Sequence, residues 1–117
     1  MQLAAIAVGD ARRQTDAEDA LKRCLDDPRQ MSLLTSAGLC HGYSGVYQTT
    51  WRAAHDATAP DLAARLPDLA VSLSSAAESA HTGGGLLDGT AGAALALGTA
   101  AHDAPPISGW DTCLLIN

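Results

Sequence analysis

The sequence predicts an all-α protein assembled from repeated pairs of helices, and three observations carry that prediction. The first is an internal repeat. Gly38-Leu39-Cys40-His41-Gly42-Tyr43-Ser44-Gly45 and Gly85-Leu86-Leu87-Asp88-Gly89-Thr90-Ala91-Gly92 share the pattern G-L-x-x-G-x-x-G at an offset of 47 residues. At the same offset Ala53-Ala54-His55-Asp56-Ala57 returns letter for letter as Ala100-Ala101-His102-Asp103-Ala104. A period of this size marks supersecondary units that stack so that each covers its neighbour's apolar face. The second observation is that apolar residues recur at helical spacing, and no stretch alternates convincingly as a strand does. The third is composition: 24 Ala and 11 Gly among 117 residues, with no Phe. Side chains this small suit helices whose backbones approach closely.

Taken in order, residues 1–8 are apolar and run into Gly9-Asp10-Ala11, similar to the Ala-His-Asp-Ala end of a repeat. Residues 1–11 are therefore expected to be the tail of one unit. Thr15-Asp16-Ala17-Glu18 has the form of a capping box. The stripe Ala17, Ala20, Leu21, Cys24 and Leu25 follows at i, i+3, i+4, i+7, i+8, predicting an amphipathic outer helix that Asp27-Pro28 ends. Residues 31–38 are expected to be a loop. Residues 42–54, apolar or small on most faces, predict a buried inner helix, which completes a full unit over about 12–57. The last unit, about 58–117, opens with an outer helix carrying Leu62, Leu66, Leu69, Leu73, Ala77 and Ala80. Pro67 interrupts it, which predicts a kink or two shorter helices with Pro67 in a first turn. Loops are expected at 81–85 and 104–109, on either side of a second inner helix over 89–101.

Charge and patterning exclude several function classes. With 13 Asp+Glu against 7 Lys+Arg the net charge is −6, and only Arg12-Arg13 stand together, so no nucleic-acid backbone is the expected partner. No apolar run approaches the ~18–20 residues of a membrane span. Residues 1–3 carry no basic region of a signal peptide, and three widely spaced cysteines form no disulfide framework. A cytoplasmic location is expected.

Cys40-His41 is the one pair with metal chemistry, since thiolate and imidazole are both good Zn2+ ligands. Neighbours inside a helix point about 100° apart and rarely share an ion, a restriction that relaxes at a loop-to-helix junction. The sister repeat has Leu87-Asp88 at these positions. An isolated Cys-His pair is also a common packing motif, and Zn2+ calls for three or four protein ligands. Cys24, on the apolar stripe, and Cys113, beside Leu114-Leu115-Ile116, are expected in the core. His55 and His102 stand at inner-helix ends, where an imidazole meets the negative end of the helix dipole. His81 is expected to be solvated. Gly83-Gly84-Gly85 follows no strand and precedes no Lys, so it is a flexible lead-in to the inner helix rather than a phosphate loop. Asp56, Asp88 and Asp103 are expected as caps and turn residues. No Ser-His-Asp set or carboxylate pair stands out, and no catalytic residue is assigned.

Leu39-Cys40-His41-Gly42-Tyr43-Ser44-Gly45, then Gly85-Leu86-Leu87-Asp88-Gly89-Thr90-Ala91-Gly92, then Gly109-Trp110-Asp111-Thr112-Cys113-Leu114-Leu115 resemble, in that order, the C-terminal part of the lanthionine synthetase C-like (LanC) cyclases. The resemblance covers essentially the whole chain. It implies the C-terminal segment of an α/α toroid with inner and outer helical layers. It also implies one Zn2+ held by Cys40, His41 and a further Cys from the preceding inner helix. The implied reaction is addition of a peptide Cys thiolate to dehydroalanine or dehydrobutyrine, closing a thioether ring in a dehydrated precursor peptide. One repeat back from Cys40 falls ahead of Met1, so the third ligand and the family's acid/base residues are expected off this chain. Zn2+ is then expected to be weakly held or absent in the isolated chain, which is expected to be inactive alone. Its expected partners are the precursor peptide, a preceding cyclase segment or a dehydratase, and copies of itself through an uncovered apolar face. The competing expectation is a non-catalytic helical-repeat remnant, or a scaffold that binds a peptide or partner protein.

Overall fold

Asp10 ends the first turn of the chain and starts its first long helix. In the computed structural model, which describes residues 1–79 and 83–114 except the side chain of Cys113, helix α1 spans Gln2–Ala7 and Gly9 turns the backbone at φ +71°. The Asp10 carboxylate then accepts from the Arg13 amide and opens α2, Ala11–Asp26. The expected capping box is therefore displaced: Thr15 lies inside α2, where its hydroxyl donates to the Ala11 carbonyl. Asp10 wins because it stands directly after a glycine that reverses the chain, so the helix has already begun at Thr15. Asp27 ends α2 as expected and caps a short helix α3, Pro28–Met31, through the Arg29 amide.

The two inner helices form where the repeat places them: α4 over Tyr43–Asp56 and α6 over Thr90–His102. Between them a 3₁₀ turn, Ala63–Arg65, leads into α5, Leu66–Glu78, with Pro67 in its first turn, where a missing amide proton costs nothing. A further 3₁₀ turn, Trp110–Leu114, follows the loop after α6. Among the described residues there is no strand, and no helix is long and apolar enough to cross a membrane.

The core lies where α4, α5 and α6 meet in pairs. Tyr47 and Trp51 of α4, Leu69 and Leu73 of α5, and Ala93 and Ala96 of α6 are all buried, together with Ala37. The large side chains come from α4 and α5, and alanines on α6 leave room for them. Full burial of Leu73 alone contributes roughly 2 kcal/mol. Trp51 also donates its indole N–H to Asp103, at the C-terminus of α6, over 2.9 Å.

Helices α1 and α2 pack on each other and attach to α4 through polar groups. Gln2 Nε2 donates to Glu18 and to the Ala53 carbonyl, each at 2.9 Å. Gln14 donates to the same Glu18 at 2.8 Å and to the Asp56 carbonyl at 3.0 Å. Glu18 is buried under these bonds, while Cys24 on the apolar stripe is exposed. The expectation of a core role for Cys24 is corrected accordingly: it lines an open pocket with Leu21, Met31 and Val46, between α2, α3 and α4, and stays accessible there. Ala80, His81, Thr82, the side chain of Cys113 and residues 115–117 lie outside the described residues, and so do the expectations placed on them.

Equivalent residues of the two repeats make equivalent bonds. The Tyr43 amide donates to the Ser36 carbonyl at 3.0 Å and the Thr90 amide to the Gly83 carbonyl at 3.1 Å. His55 Nδ1 donates to the Trp51 carbonyl and His102 Nδ1 to the Gly98 carbonyl, both at 2.8 Å. Each imidazole thus bonds a carbonyl one turn back in its own helix and stays near the negative end of the helix dipole.

Candidate metal centre

The loop that carries Cys40 and His41 is fixed by the residues on either side of them. Leu39 is buried, and its side chain lies against Gly92 at the start of α6, so close that a Cβ on Gly92 would stand 2.8 Å from Leu39 Cγ. The chain also folds back over the first turn of each inner helix. A Cβ on Gly45 would strike the Leu39 carbonyl, and one on Gly92 would strike the Leu86 carbonyl. Ser44, fully buried, donates its hydroxyl to the Ala37 carbonyl. With its neighbours held inward, the pair Cys40-His41 is left on the surface.

The sister loop lies directly alongside. The Cys40 amide donates to the Leu87 carbonyl at 3.0 Å. At Gly38 the two backbones come so near that a Cβ would stand 2.9 Å from the Leu87 carbonyl oxygen and 3.2 Å from Asp88 Cα. Residues at the same position of G-L-x-x-G-x-x-G therefore become neighbours in space, and His41 is joined by Asp88.

Three potential ligands gather here. Cys40 Sγ is 3.6 Å from His41 Nε2, and His41 Nδ1 is 3.6 Å from Asp88 Oδ1. One donor atom from each of the three lies within 4.8 Å of the others, and all three residues are exposed. The pair precedes α4 and lies outside the helix, which removes the angular restriction on neighbouring ligands. Zn–S and Zn–N bonds of normal length meeting at a tetrahedral angle put sulfur and nitrogen about 3.6 Å apart. Cys40 and His41 already have that spacing, so the donor set fits a zinc ion.

The site differs from expectation in one member. Asp88, expected as a turn residue, lies in the turn before α6 and also stands beside His41. The signal was present in the offset, since Asp88 is the repeat equivalent of His41. What the offset alone lacked was that the two loops touch. His55 and His102 remain with their helix carbonyls and do not join the group.

The family model for lanthionine synthetase C-like protein matches residues 1–115. No curated protein and no solved structure matches the chain significantly. The match takes in the Cys40-His41 loop, its sister loop and both inner helices, and it shows that this chain belongs to the lanthionine synthetase C-like family.

Proposed function

We propose that this chain forms part of a zinc-dependent cyclase of dehydrated peptides, with Cys40 and His41 as two of the zinc ligands. The observation that carries the reading is the 3.6 Å spacing of Cys40 Sγ and His41 Nε2 on a loop braced from both sides, in a chain of this family. The reaction class is addition of a peptide Cys thiol across the Cα=Cβ bond of a dehydrated Ser or Thr. A carbon–sulfur bond forms at Cβ and a proton is delivered to Cα.

When bound, zinc supplies acidity, so that a substrate thiol is available as thiolate near neutral pH. The chain's own residues supply placement. Cys40 and His41 offer sulfur and nitrogen at one point, and the Cys40 amide bond to Leu87 fixes the loop against the sister repeat. The exposure of Cys40, His41 and Asp88 leaves the point open to a peptide side chain. A third protein ligand is proposed to come from a preceding cyclase segment. The 117 residues alone then bind Zn2+ weakly and turn over little or no substrate, since affinity follows ligand count and a preformed cage.

Metal analysis and a cyclisation assay test this together. Zinc that co-purifies, or is taken up on titration, and is lost in His41→Ala supports the reading. So does ring formation in a dehydrated precursor that requires Cys40 once the preceding segment is supplied. Equal cyclisation by wild type and Cys40→Ala overturns the reading, and no zinc bound with no ring formed points instead to a peptide-binding scaffold.

A further inference from the structure

We infer that Asp88 is a positioning residue for His41: it accepts the imidazole Nδ1–H and thereby presents Nε2 to the metal. The inference deepens the zinc reading above and rests on it.

The geometry divides the two ring nitrogens between two partners. Nε2 faces Cys40 Sγ, and Nδ1 faces Asp88 Oδ1. One imidazole cannot offer both nitrogens to one ion. The nitrogen that faces the thiol is the one spaced for shared ligation, so the other is left for a hydrogen bond. Metal-bound histidines characteristically donate their second N–H to a carboxylate or a carbonyl, which fixes the tautomer and the ring orientation. At 3.6 Å the Asp88 contact is longer than a hydrogen bond. Both side chains are nearly four-fifths exposed, and a movement of about 0.6 Å closes the gap.

The backbone places Asp88 independently of its side chain. The bond from the Cys40 amide to Leu87 and the close approach at Gly38 hold residues 87 and 88 against the ligand loop. The repeat supplies the reason: the sister loop contributes the residue at the position of His41, and that residue is a carboxylate. The Asp88 side chain is exposed, and among the described residues its ion-pair contact is with His41.

Two measurements on the 117-residue chain test the assignment. Long-range 1H–15N spectra of the metal-free protein in mildly alkaline buffer report the His41 tautomer. Chelator competition with Zn2+ alone reports affinity. The wild type is expected to hold His41 in the Nδ1–H form, the minor one for free histidine. Asp88→Ala is expected to lose that preference and about 10- to 100-fold in Zn2+ affinity. Asp88→Asn, whose amide oxygen still accepts, is expected to keep the tautomer and most of the affinity.

Asp88→Ala with the wild-type tautomer and affinity overturns the assignment. So does Asp88→Asn that keeps the tautomer yet loses Zn2+ as fully as Asp88→Ala, because Asp88 would then be a ligand itself. A wild-type protein that holds the Nδ1–H form but takes up no Zn2+ supports the role of Asp88 toward His41 and removes the zinc reading instead.

Discussion

A methyl group on Gly38 would stand 2.9 Å from the Leu87 carbonyl oxygen, closer than real Cβ contacts come. Its neighbours are backbone atoms, which cannot swing aside as a flexible side chain does. Gly38→Ala is therefore expected to cost about 1–3 kcal/mol, measured by urea unfolding. It should also speed hydrogen exchange at the Cys40 amide by loosening its bond to Leu87. The cysteines give a second prediction at this scale. Cys24 and Cys40 are both exposed and free, but only Cys40 has ligand neighbours. Alkylation mapped by mass spectrometry should label both in metal-free protein, and saturating Zn2+ should protect Cys40 alone. Equal protection of Cys24 would place the metal elsewhere.

Among the described residues, elements are joined by a few large side chains and by the ion pair of Arg52 with the buried Asp111. Leu73 of α5 is fully buried among α4 and α6 residues, and Leu73→Ala is expected to cost about 2–5 kcal/mol. Asp111, in the 3₁₀ turn after α6, is fully buried and ties that turn to α4. Arg52 donates to both its carboxylate oxygens, Nε at 2.7 Å and Nη2 at 2.8 Å, and Gln48 Nε2 donates at 2.6 Å. Burial pushes the Asp111 carboxyl up, but the hydrogen bonds from Arg52 and Gln48 outweigh it and hold the group below its ordinary range. A depressed folded value means that this stabilisation is complete above the unfolded value, about 3.9, and is lost as pH falls through the folded one. Acid should therefore weaken the fold below about pH 4, and Asp111→Asn should flatten that slope while lowering stability near neutrality. Urea midpoints across pH measure both effects. Removing the carboxylate altogether, as in Asp111→Ala, is expected to cost roughly 3 kcal/mol or more, since it strands the partly buried Arg52.

Across the whole molecule the packing is uneven. Among the described residues, most of the core cluster belongs to α4, α5 and α6, with Leu25 of α2 and Met31 of α3 packed against it. Helices α1 and α2 hold on through Gln2, Gln14 and Glu18. Regions with few buried apolar contacts open locally before the rest. Hydrogen exchange is expected to show α1 and α2 less protected than α4 and α6. Glu18→Ala should widen that gap with little effect on the protection of α6. Uniform protection along the chain would mean that the glutamines bind the two parts more tightly than their contacts suggest.

Much of this protein was legible in the residues themselves. Helical spacing of apolar residues and the glycine-spaced repeat located α4 and α6 to within a residue or two, and Pro67 marked the break at which α5 begins, because local backbone preference and one-sided burial act within a few residues. The Cys40-His41 loop was legible for the same reason: its glycines dictate a close turn onto a helix. Where α2 begins was misplaced, because Asp10 and Thr15 are both acceptable caps and the turn at Gly9 chose between them. The exposure of Cys24 and the burial of Glu18 were not legible, since an apolar stripe shows which face is sticky but not what covers it. Nor was the meeting of His41 with Asp88, residues 47 apart. The sequence determined the helices, the repeat and two ligand candidates. Only the tertiary structure decided that the sister loops lie side by side, because that depends on backbone contact at Gly38 and on the bond from Cys40 to Leu87, which no local pattern encodes.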